Sequence, residues 1–397
     1  MKDEPRDTTS TAGQTEPESN LSSLRVAIVH YYLLDRCGGE LVVEALCDIF
    51  PQADLFALIA RPESMSPILR SRKLTTSFLQ RIPLAQRFYR HLLMLQPLAL
   101  EQFDLRGYDL VISSESGPAK GVLTSPGTLH VCYCHSPMRY IWDMYPEYIG
   151  TMPPLVRTLF AITSHYVRMW DYATAARVDS FICNSHYIAS RVRKFYRRES
   201  EVIYPPVQVR SVQIDHAQED YYLAAGRLVH YKRVDLAIEA CNHLGRNLKI
   251  IGSGPEYKRL KRLAGSSIEF LGYVSDAEKH QIFGKCRALL FPGEEDFGIV
   301  PVEAQAHGRP VIAFGSGGAL ETVRGLGSNP PDAVAPTGVF FSDQSATALV
   351  DAIERFEANA ALFDPESIRQ HALQFDASVF RGRMLEFLER EIQERRI

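Results

Sequence analysis

The stretch FPGEEDFGIVPVEAQAHGRPVIAFGSGG, residues 291–318, indicates the fold class of this chain. It begins where the apolar segment Ala288 to Phe291 ends, and such a segment is typical of a buried strand. After an acidic loop, a helix is predicted to begin at Pro301, because proline is well tolerated in the first helical turn. Gly308 predicts the end of that helix, and Val311 to Phe314 predicts a second strand that runs into a glycine-rich turn. Strand, helix and strand in this order predict a parallel α/β sheet, in which ligands bind beyond the carboxyl ends of the strands.

The same alternation of apolar strands and amphipathic helices extends over most of the chain. Its 397 residues exceed the size of one ordinary domain, and Pro205 and Pro206 followed by a polar interval mark a boundary. We predict two Rossmann-like parallel-sheet domains that face each other across a cleft. The predicted division is a disordered tail over 1–22, an N-terminal acceptor domain over 23–207, a C-terminal donor domain over 208–375 and a C-terminal helix over 376–397.

Composition limits the class of protein. With 46% hydrophobic and 23% charged residues, the chain has the composition of a soluble globular protein. A net charge of −3 and the lack of a recognition motif argue against nucleic acid as a partner. The seven cysteines show no CxxC spacing, which favours buried thiols in a reducing compartment. No apolar run approaches the ~20 residues of a membrane span, and no signal-peptide core is present, so a cytoplasmic location is expected.

One segment in the first half is basic and rich in aromatic residues. No carboxylate occurs between Glu63 and Glu101, whereas six cations lie there: Arg70, Arg72, Lys73, Arg81, Arg87 and Arg90. Such a segment suits an anionic membrane surface or an anionic lipid. A pair of ordinary helices with a basic solvated face would give the same pattern, so both interpretations stay open.

Two cations follow the predicted strand Tyr221 to Ala225. Arg227 and Lys232 would lie at the same sheet edge as Glu295. Arginine binds phosphate through two parallel hydrogen bonds and lysine acts as a compact charge, so the pair could neutralise the diphosphate of a departing nucleoside diphosphate. The alternative is a pair of surface cations at a helix start, where the helix dipole disfavours them.

The approach to the predicted helix is a second candidate anion site. The backbone of Phe297, Gly298, Ile299 and Val300 offers N–H groups beside the positive end of the helix dipole. Glu303, in the predicted first turn, could accept hydrogen bonds from ribose hydroxyls or could simply be a carboxylate that the dipole favours. The chain has no DxD motif, so Arg, Lys and the helix dipole are expected to neutralise the diphosphate without a metal.

A histidine from the first half could face these groups. His135 follows the predicted strand Thr128 to Tyr133, which places it at a strand carboxyl end. It could be structural, or it could face the cleft from the opposite domain. Among the clustered acids, Glu295 and Glu303 are expected to face sugar hydroxyls, whereas Glu294 and Asp296 are expected to be structural or solvated.

The spacing of Glu295 and Glu303, within EDFGIVPVEAQAHGRPVIA and together with GRLVHYK and IGSGPE, resembles the retaining, nucleotide-sugar-dependent glycosyltransferases of family 4. These enzymes have the GT-B fold. The resemblance runs from about residue 25 to about residue 380. The segments GGE, CYCHSPMRYIWD and FPGEEDFGIVPVEA are more similar to the bacterial polysaccharide mannosyltransferases of the WbaZ and AceA type. One departure is Arg233 after Lys232, where the family commonly has glycine or another small residue.

The resemblance implies a role for each candidate residue. Glu295 and His135 would contact the donor sugar from opposite domains, and Arg227 and Lys232 would hold the diphosphate; these four form the implied catalytic set. Glu303 would bind the ribose. The rest of the implied site is Gly254, Phe297, Gly298, Ile299 and Val300 at the donor, Tyr273 at the base, and a loop at Gly38 and Gly39 at the phosphates or the acceptor.

The resemblance also implies a function. The chain would be a metal-independent hexosyltransferase that moves mannose from GDP-mannose onto a polyprenyl-diphosphate-linked oligosaccharide in bacterial exopolysaccharide biosynthesis. It would be peripheral on the inner face of the cytoplasmic membrane. The alternatives are a sugar-nucleotide epimerase of the same fold and a non-catalytic nucleotide-sugar-binding partner of an assembly complex.

Overall fold

The computed structural model describes residues 20–35, 38–150, 152–327 and 335–395. Within them the strands form two parallel sheets, one of seven strands in the order β3-β2-β1-β4-β5-β6-β7 and one of six in the order β10-β9-β8-β11-β12-β13. The strands of the first sheet are β1 Val26–Leu33, β2 Asp54–Ala60, β3 Leu74–Thr76, β4 Leu110–Glu115, β5 Leu129–Cys134, β6 Ser180–Cys183 and β7 Glu201–Val202. Those of the second are β8 Tyr222–Ala225, β9 Leu248–Ile251, β10 Ile268–Gly272, β11 Leu289–Phe291, β12 Val311–Phe314 and β13 Gly338–Phe341.

Helices connect the strands and cover the sheets. Those before the second sheet are α1 Gly38–Ile49, α2 Pro67–Arg70, α3 Ala85–Phe88, α4 Gln96–Glu101, α5 Tyr145–Gly150, α6 Pro154–Thr174 and α7 His186–Tyr196. The others are α8 Val234–Leu244, α9 Tyr257–Leu263, α10 Asp276–Lys285, α11 Ile299–Ala306, α12 Ala319–Thr322, α13 Ala346–Ala358, α14 Pro365–Ala372 and α15 Ala377–Arg395. We call the unit around the seven-stranded sheet the first domain and the unit around the six-stranded sheet the second domain.

The central strand β1 shows why the sequence forms a parallel sheet. It pairs in parallel with β2 and with β4. Val26 and Ile28 enter the core on one face of the sheet, whereas Ala27 and Val29 enter the core on the other. A strand buried on both faces needs an almost continuous apolar run, which is what the sequence provides. The predicted α/β class with two parallel-sheet domains is confirmed.

The helix of the opening stretch begins earlier than predicted. α11 starts at Ile299, and Gly298 precedes it with a φ of +92°, a conformation that side chains rarely adopt. Pro301 is therefore the third helical residue. The N–H groups of the first helical turn make no intrahelical hydrogen bond, so the missing N–H of proline costs none there. The predicted start at Pro301 was wrong, and Glu303 lies in the second turn.

The glycine pair of the first domain is helical. Gly38 and Gly39 open α1, so the prediction of a loop at these two residues was wrong. A Cβ atom on Gly38 would lie 2.8 Å from Cδ1 of Ile299 in the second domain. The starts of α1 and α11 thus lie close together across the cleft.

The last helix returns to the first domain. Phe380, Met384 and Leu388 of α15 are buried in the same core as β1 and α1. The two crossings between the domains meet at a parallel bridge between Val207 and Asp376. At the other end of the chain, residues 20–22 of the predicted tail belong to a 3-10 helix, Asn20–Ser23, and residues 1–19 of the tail lie outside the described residues.

The basic segment of the first domain forms no long helix. Residues 62–101 fold into the short strand β3, the short helices α2, α3 and α4, and 3-10 turns. Arg81, Arg87 and Arg90 are exposed, as are the apolar side chains of Leu84 and Phe88. In the described part of the chain no helix combines the length and the apolar character needed to cross a bilayer.

Candidate functional site

A cleft of about 1640 Å³ lies between the two domains. Residues from the carboxyl ends of both sheets line it, as expected for parallel α/β sheets. The structure brings every residue of the predicted site to this cleft: Gly38, Gly39, His135, Arg227, Lys232, Gly254, Tyr273, Glu295, Phe297, Gly298, Ile299, Val300 and Glu303. The predicted residues therefore face one space, although they come from both halves of the sequence.

An ion pair joins the predicted cation and the predicted acid. Nζ of Lys232 lies 2.7 Å from Oε1 of Glu295, and both side chains are mostly buried. Two glycines make room for the lysine. A Cβ atom on Gly226 would lie 2.8 Å from Nζ of Lys232, and one on Gly293 would lie 2.7 Å from its Cα. The pair holds the ammonium and the carboxylate side by side at the cleft wall.

The glycine turns after β8 and β9 pack backbone against backbone. A Cβ atom on Gly252 would lie 2.0 Å from the carbonyl oxygen of Gly226, and one on Gly254 would lie 2.3 Å from that of Leu228. Neither position can take a side chain without moving backbone atoms. These turns form the floor of the cleft beside Arg227, whose side chain is exposed.

The turn after Lys232 is left-handed. Arg233 has a φ of +49° and a ψ of +39° and precedes the first turn of α8. This geometry favours glycine, and glycine is common at this position in the family that the sequence resembles. Here Nε of Arg233 donates to Oδ1 of Asp235 at 3.2 Å. Arg233 therefore adopts a left-handed turn with its side chain paired to Asp235.

The amino end of α11 opens into the cleft. Phe297, Gly298, Ile299 and Val300 line it, and the first N–H groups of a helix have no intrahelical acceptors. Such an end, with its positive dipole, is suited to bind an anion. Glu303, one turn further on, accepts a hydrogen bond of 2.6 Å from Nζ of Lys279, a residue that the sequence did not single out. Tyr273 is almost fully exposed at the rim.

His135 faces these groups from the first domain. It lies just beyond β5, its backbone N–H donates to the carbonyl of Glu115 at 2.7 Å, and its Nε2 lies 2.9 Å from Oγ of Ser114. Burial, with a smaller contribution from nearby His30, lowers the pKa of His135 to about 3. The imidazole is therefore neutral at physiological pH and can exchange hydrogen bonds without carrying charge.

Below His135 lies a buried polar residue that sequence reasoning missed. His30, within β1, contacts the carbonyl oxygen of Ser114 through Nδ1 at 2.9 Å. Its Nε2 lies 3.8 Å from Oε1 of Glu40 in α1. A histidine within an otherwise apolar buried strand is the signal that could have identified it. His30 thus links β1 to β4 and lies against the start of α1 beneath the cleft.

Two neighbours of Glu295 hold the domains together. Asp296 forms ion pairs with Arg139 and Arg191 of the first domain. Burial raises the pKa of Asp296, and the two arginines oppose that shift. Glu294 accepts hydrogen bonds from the hydroxyl of Tyr187 at 2.6 Å and from Oγ of Ser316 at 2.7 Å. Both acids contact side chains of the first domain, as expected for residues with a structural role.

A carboxylate of the second domain caps a helix of the first. The two oxygens of Glu321, in α12, accept the backbone N–H groups of His186 at 2.8 Å and Tyr187 at 2.9 Å, at the start of α7. Oγ of Ser185 accepts the N–H of Ile188 in the same turn. The sequence carries no signal for Glu321, because the two elements are distant in the chain. The free N–H groups of α7 are thus paired across the domain boundary.

The described residues contain no group of three or more His, Cys, Asp or Glu side chains placed to hold a metal ion. The six described cysteines are free and buried, and Cys37 lies outside the described residues.

The chain resembles both solved structures and curated proteins. An Anabaena protein, HepE, solved in complex with UDP, superposes with a TM-score of 0.66 over 92% of this chain and 99% of its own, at 16% identity. The alpha-1,3/1,6-mannosyltransferase ALG2 of Kluyveromyces lactis is 26% identical over 299 residues, which is 61% of this chain and 57% of the yeast protein. O-antigen chain mannosyltransferase C of Escherichia coli is 28% identical over 156 residues, 35% of this chain and 42% of that protein. The chain spans about half the length of the curated relatives that it matches.

Two family models match consecutive parts of the chain. The model described as Glycosyltransferase Family 4 matches residues 38–211, and the model described as Glycosyl transferases group 1 matches residues 210–373. Together they cover residues 38–373, which include the second sheet, six of the seven strands of the first sheet and every residue of the predicted site. The chain belongs to the family 4 glycosyltransferases and has their GT-B fold.

Proposed function

We propose that this protein is a retaining hexosyltransferase that transfers mannose from GDP-mannose to a lipid-linked oligosaccharide. One observation supports it most: the Lys232–Glu295 ion pair and the neutral His135 line the same cleft from opposite domains. Mannose is favoured because two relatives are named as mannosyltransferases. The similarity to the WbaZ and AceA type favours GDP-mannose and a role in exopolysaccharide assembly.

The reaction follows from the charges at the cleft. The bond between C1 of the sugar and the diphosphate oxygen breaks, and a bond from C1 to the acceptor oxygen forms on the same face. The acceptor proton passes to an oxygen of the leaving diphosphate. Arg227, Lys232 and the amino end of α11 stabilise the negative charge that develops on that diphosphate.

The remaining groups position the donor. Glu295 accepts hydrogen bonds from sugar hydroxyls, and neutral His135 contacts the sugar from the other side. Glu303, oriented by Lys279, accepts from the ribose hydroxyls, and Tyr273 lies beside the base. The start of α1, with Gly38 and Gly39, faces the acceptor side of the cleft.

The donor is tested by binding and by turnover. A thermal-shift panel of GDP, UDP, ADP and TDP should show the largest rise with GDP, since a ligand at about 100 times its dissociation constant stabilises a protein by about 2.7 kcal/mol. GDP release from GDP-mannose should increase when acceptor is added. An epimerase would release no GDP, and a non-catalytic partner would bind the nucleotide without turnover.

The proposed acceptor is a polyprenyl-diphosphate glycan at the inner face of the cytoplasmic membrane. The basic segment 64–100 would contact the anionic lipid surface, since Arg81, Arg87 and Arg90 are exposed there. Arg81→Glu should weaken binding to anionic vesicles, and unchanged binding would count against this contact.

A further inference from the structure

Helix α6 exposes an apolar stripe to solvent. Along its 21 residues, five large apolar side chains repeat at intervals of four and three positions, which places them on one helix face. The opposite face packs on the protein through residues such as Val167 and Asp171. The exposed fractions are 85% for Leu155, 66% for Leu159, 53% for Ile162, 55% for Tyr166 and 49% for Met169. A surface helix normally buries its apolar face, so this helix has an apolar face without a partner among the described residues.

The apolar surface continues onto the neighbouring element. α6 packs against the 3-10 segment Tyr89–Leu95 through Val167 and Leu93. That segment and the helices on either side of it also expose large apolar side chains: Leu84, Phe88, Met94, Leu95 and Leu98. Together, the stripe of α6 and residues 84–98 expose ten large apolar side chains, which exceeds the scattered exposure of a typical monomer surface, and exposed patches of this kind mark interaction sites.

The exposed charged side chains of α6 and of residues 84–98 are all cationic. The sequence has no carboxylate between Glu147 and Asp171, just as it has none between Glu63 and Glu101. The exposed cations Arg157, Arg87 and Arg90 remain. Apolar side chains flanked by cations match an anionic bilayer surface. A second copy of the chain fits less well, because a two-fold contact would bring the same cations together.

The surface adjoins the cleft. α5 follows the cleft-lining residues Tyr140 and Met144, and the ring of Tyr145 stacks on Phe160 of α6 at a centroid distance of 6.0 Å. Tyr148 of α5 lines the cleft and is also exposed. Only the short helix α5 therefore separates the apolar stripe of α6 from the cleft.

We propose that the outward face of α6, together with the exposed apolar residues of 84–98, docks onto an anionic phospholipid bilayer. Docking there places the edge formed by Tyr140, Met144 and Tyr148 next to the lipid surface. A lipid-linked acceptor can then reach the cleft from the bilayer without leaving the protein surface. This last consequence rests on the proposed function, whereas docking itself does not.

Vesicle co-sedimentation of the full chain tests the proposal. Wild-type protein should bind vesicles that contain phosphatidylglycerol and bind pure phosphatidylcholine vesicles more weakly. Leu159→Glu/Ile162→Glu should weaken binding to the anionic vesicles by at least about tenfold, because two apolar side chains no longer enter the interface. Leu362→Glu, at a similarly exposed leucine of the second domain, is the matched control and should bind as wild type does.

Three measurements keep the outcomes distinct. Both variants should retain the wild-type melting temperature, since the replaced side chains are exposed. Unchanged vesicle binding by the α6 variant would overturn the proposal. If wild-type protein were a dimer and this variant a monomer that still binds vesicles, the stripe would be a contact between two copies of the chain instead. Donor hydrolysis in solution should be equal in all three proteins. Vesicle binding through α6 without release of nucleotide from any sugar nucleotide would uphold docking while contradicting the proposed function.

Discussion

At the scale of single residues, Lys232 is the most direct test of the cleft chemistry. Lys232→Ala removes one preorganised charge from the diphosphate site, which in comparable sites lowers turnover by about 10² to 10³. Its ion pair with Glu295 is mostly buried, so Lys232→Ala should also lower the melting temperature, and turnover is measured well below that temperature. The measurement is GDP release from GDP-mannose, with Lys258→Ala, an exposed lysine of α9, as the control. Near-normal rates for both Lys232→Ala and Arg227→Ala would contradict the proposed mechanism.

Buried histidines predict a loss of stability in mild acid. Burial lowers the pKa of His135 to about 3 and those of His130, His307 and His371 to about 4, from an ordinary value of 6.5. Below pH 6.5 the unfolded chain binds protons that the folded protein does not, so the free energy of unfolding decreases as pH falls. Each histidine contributes about 1.4 kcal/mol per pH unit within that window.

One carboxyl group acts in the opposite direction. Burial raises the pKa of Glu115 to about 7, so this group favours the folded state as pH falls towards 4.5 and offsets one histidine. The net expectation is a lower melting temperature at pH 5.0 than at pH 7.5, measured by calorimetry. A melting temperature that stays constant between these values would contradict the assignment of neutral buried imidazoles.

At the scale of secondary-structure elements, the contact of α12 with the start of α7 predicts coupling between the domains. Glu321→Ala leaves the N–H groups of His186 and Tyr187 without their carboxylate, and losing a cap costs about 1 to 2 kcal/mol. If closure depends on this contact, the radius of gyration from small-angle scattering should rise and kcat/KM should fall by about tenfold.

The control for that variant stays within one domain. Glu366→Ala also removes a carboxylate from a first helical turn, in α14, but touches no residue of α7. It should leave the radius of gyration and kcat/KM unchanged. If Glu321→Ala and Glu366→Ala had the same radius of gyration and the same kcat/KM, the Glu321 contact would not hold the cleft closed.

The elements also show what the sequence could predict. The buried strand β12 was predicted at its observed bounds and β8 within one residue of them, because a short apolar run between turn residues is typical of a buried strand. The start of α11 was missed because the left-handed turn at Gly298 depends on its packing, and no pattern encodes it. The role of α6 was missed for a different reason: a stripe at spacing four and three looks the same whether it is buried or exposed.

The residues of the candidate site were predicted more completely than the neighbouring residues that hold them in place. Residues that carry charge or backbone chemistry at strand ends, such as Lys232, Glu295 and His135, stand out because of their position along the chain. Their partners come from distant segments. Lys279, which holds Glu303, and His30, which lies under His135, became apparent only when the strands were placed side by side.

At the scale of the whole molecule, α15 completes the core of the first domain. Leu388→Ala removes a fully buried side chain from that core and should lower the free energy of unfolding by about 2 to 5 kcal/mol. Glu389→Ala, at the next and exposed position, should stay within about 0.5 kcal/mol of wild type. Denaturant unfolding followed by far-ultraviolet circular dichroism measures both. Similar midpoints for the two variants would show that α15 does not support the first domain.

The return of α15 makes the second domain a continuous insertion. The chain leaves the first domain after Val207 and re-enters it at Asp376, and these two residues are paired. The carboxylate of Asp376 also accepts the backbone N–H groups of Val209 and Arg210, at 3.2 Å and 2.9 Å. Residues 208–375 thus form a cassette with adjacent ends, so the matching half of a relative could be exchanged at this junction while the first domain and its C-terminal helix remain in place. Under the proposed function, nucleotide preference should then follow the exchanged half.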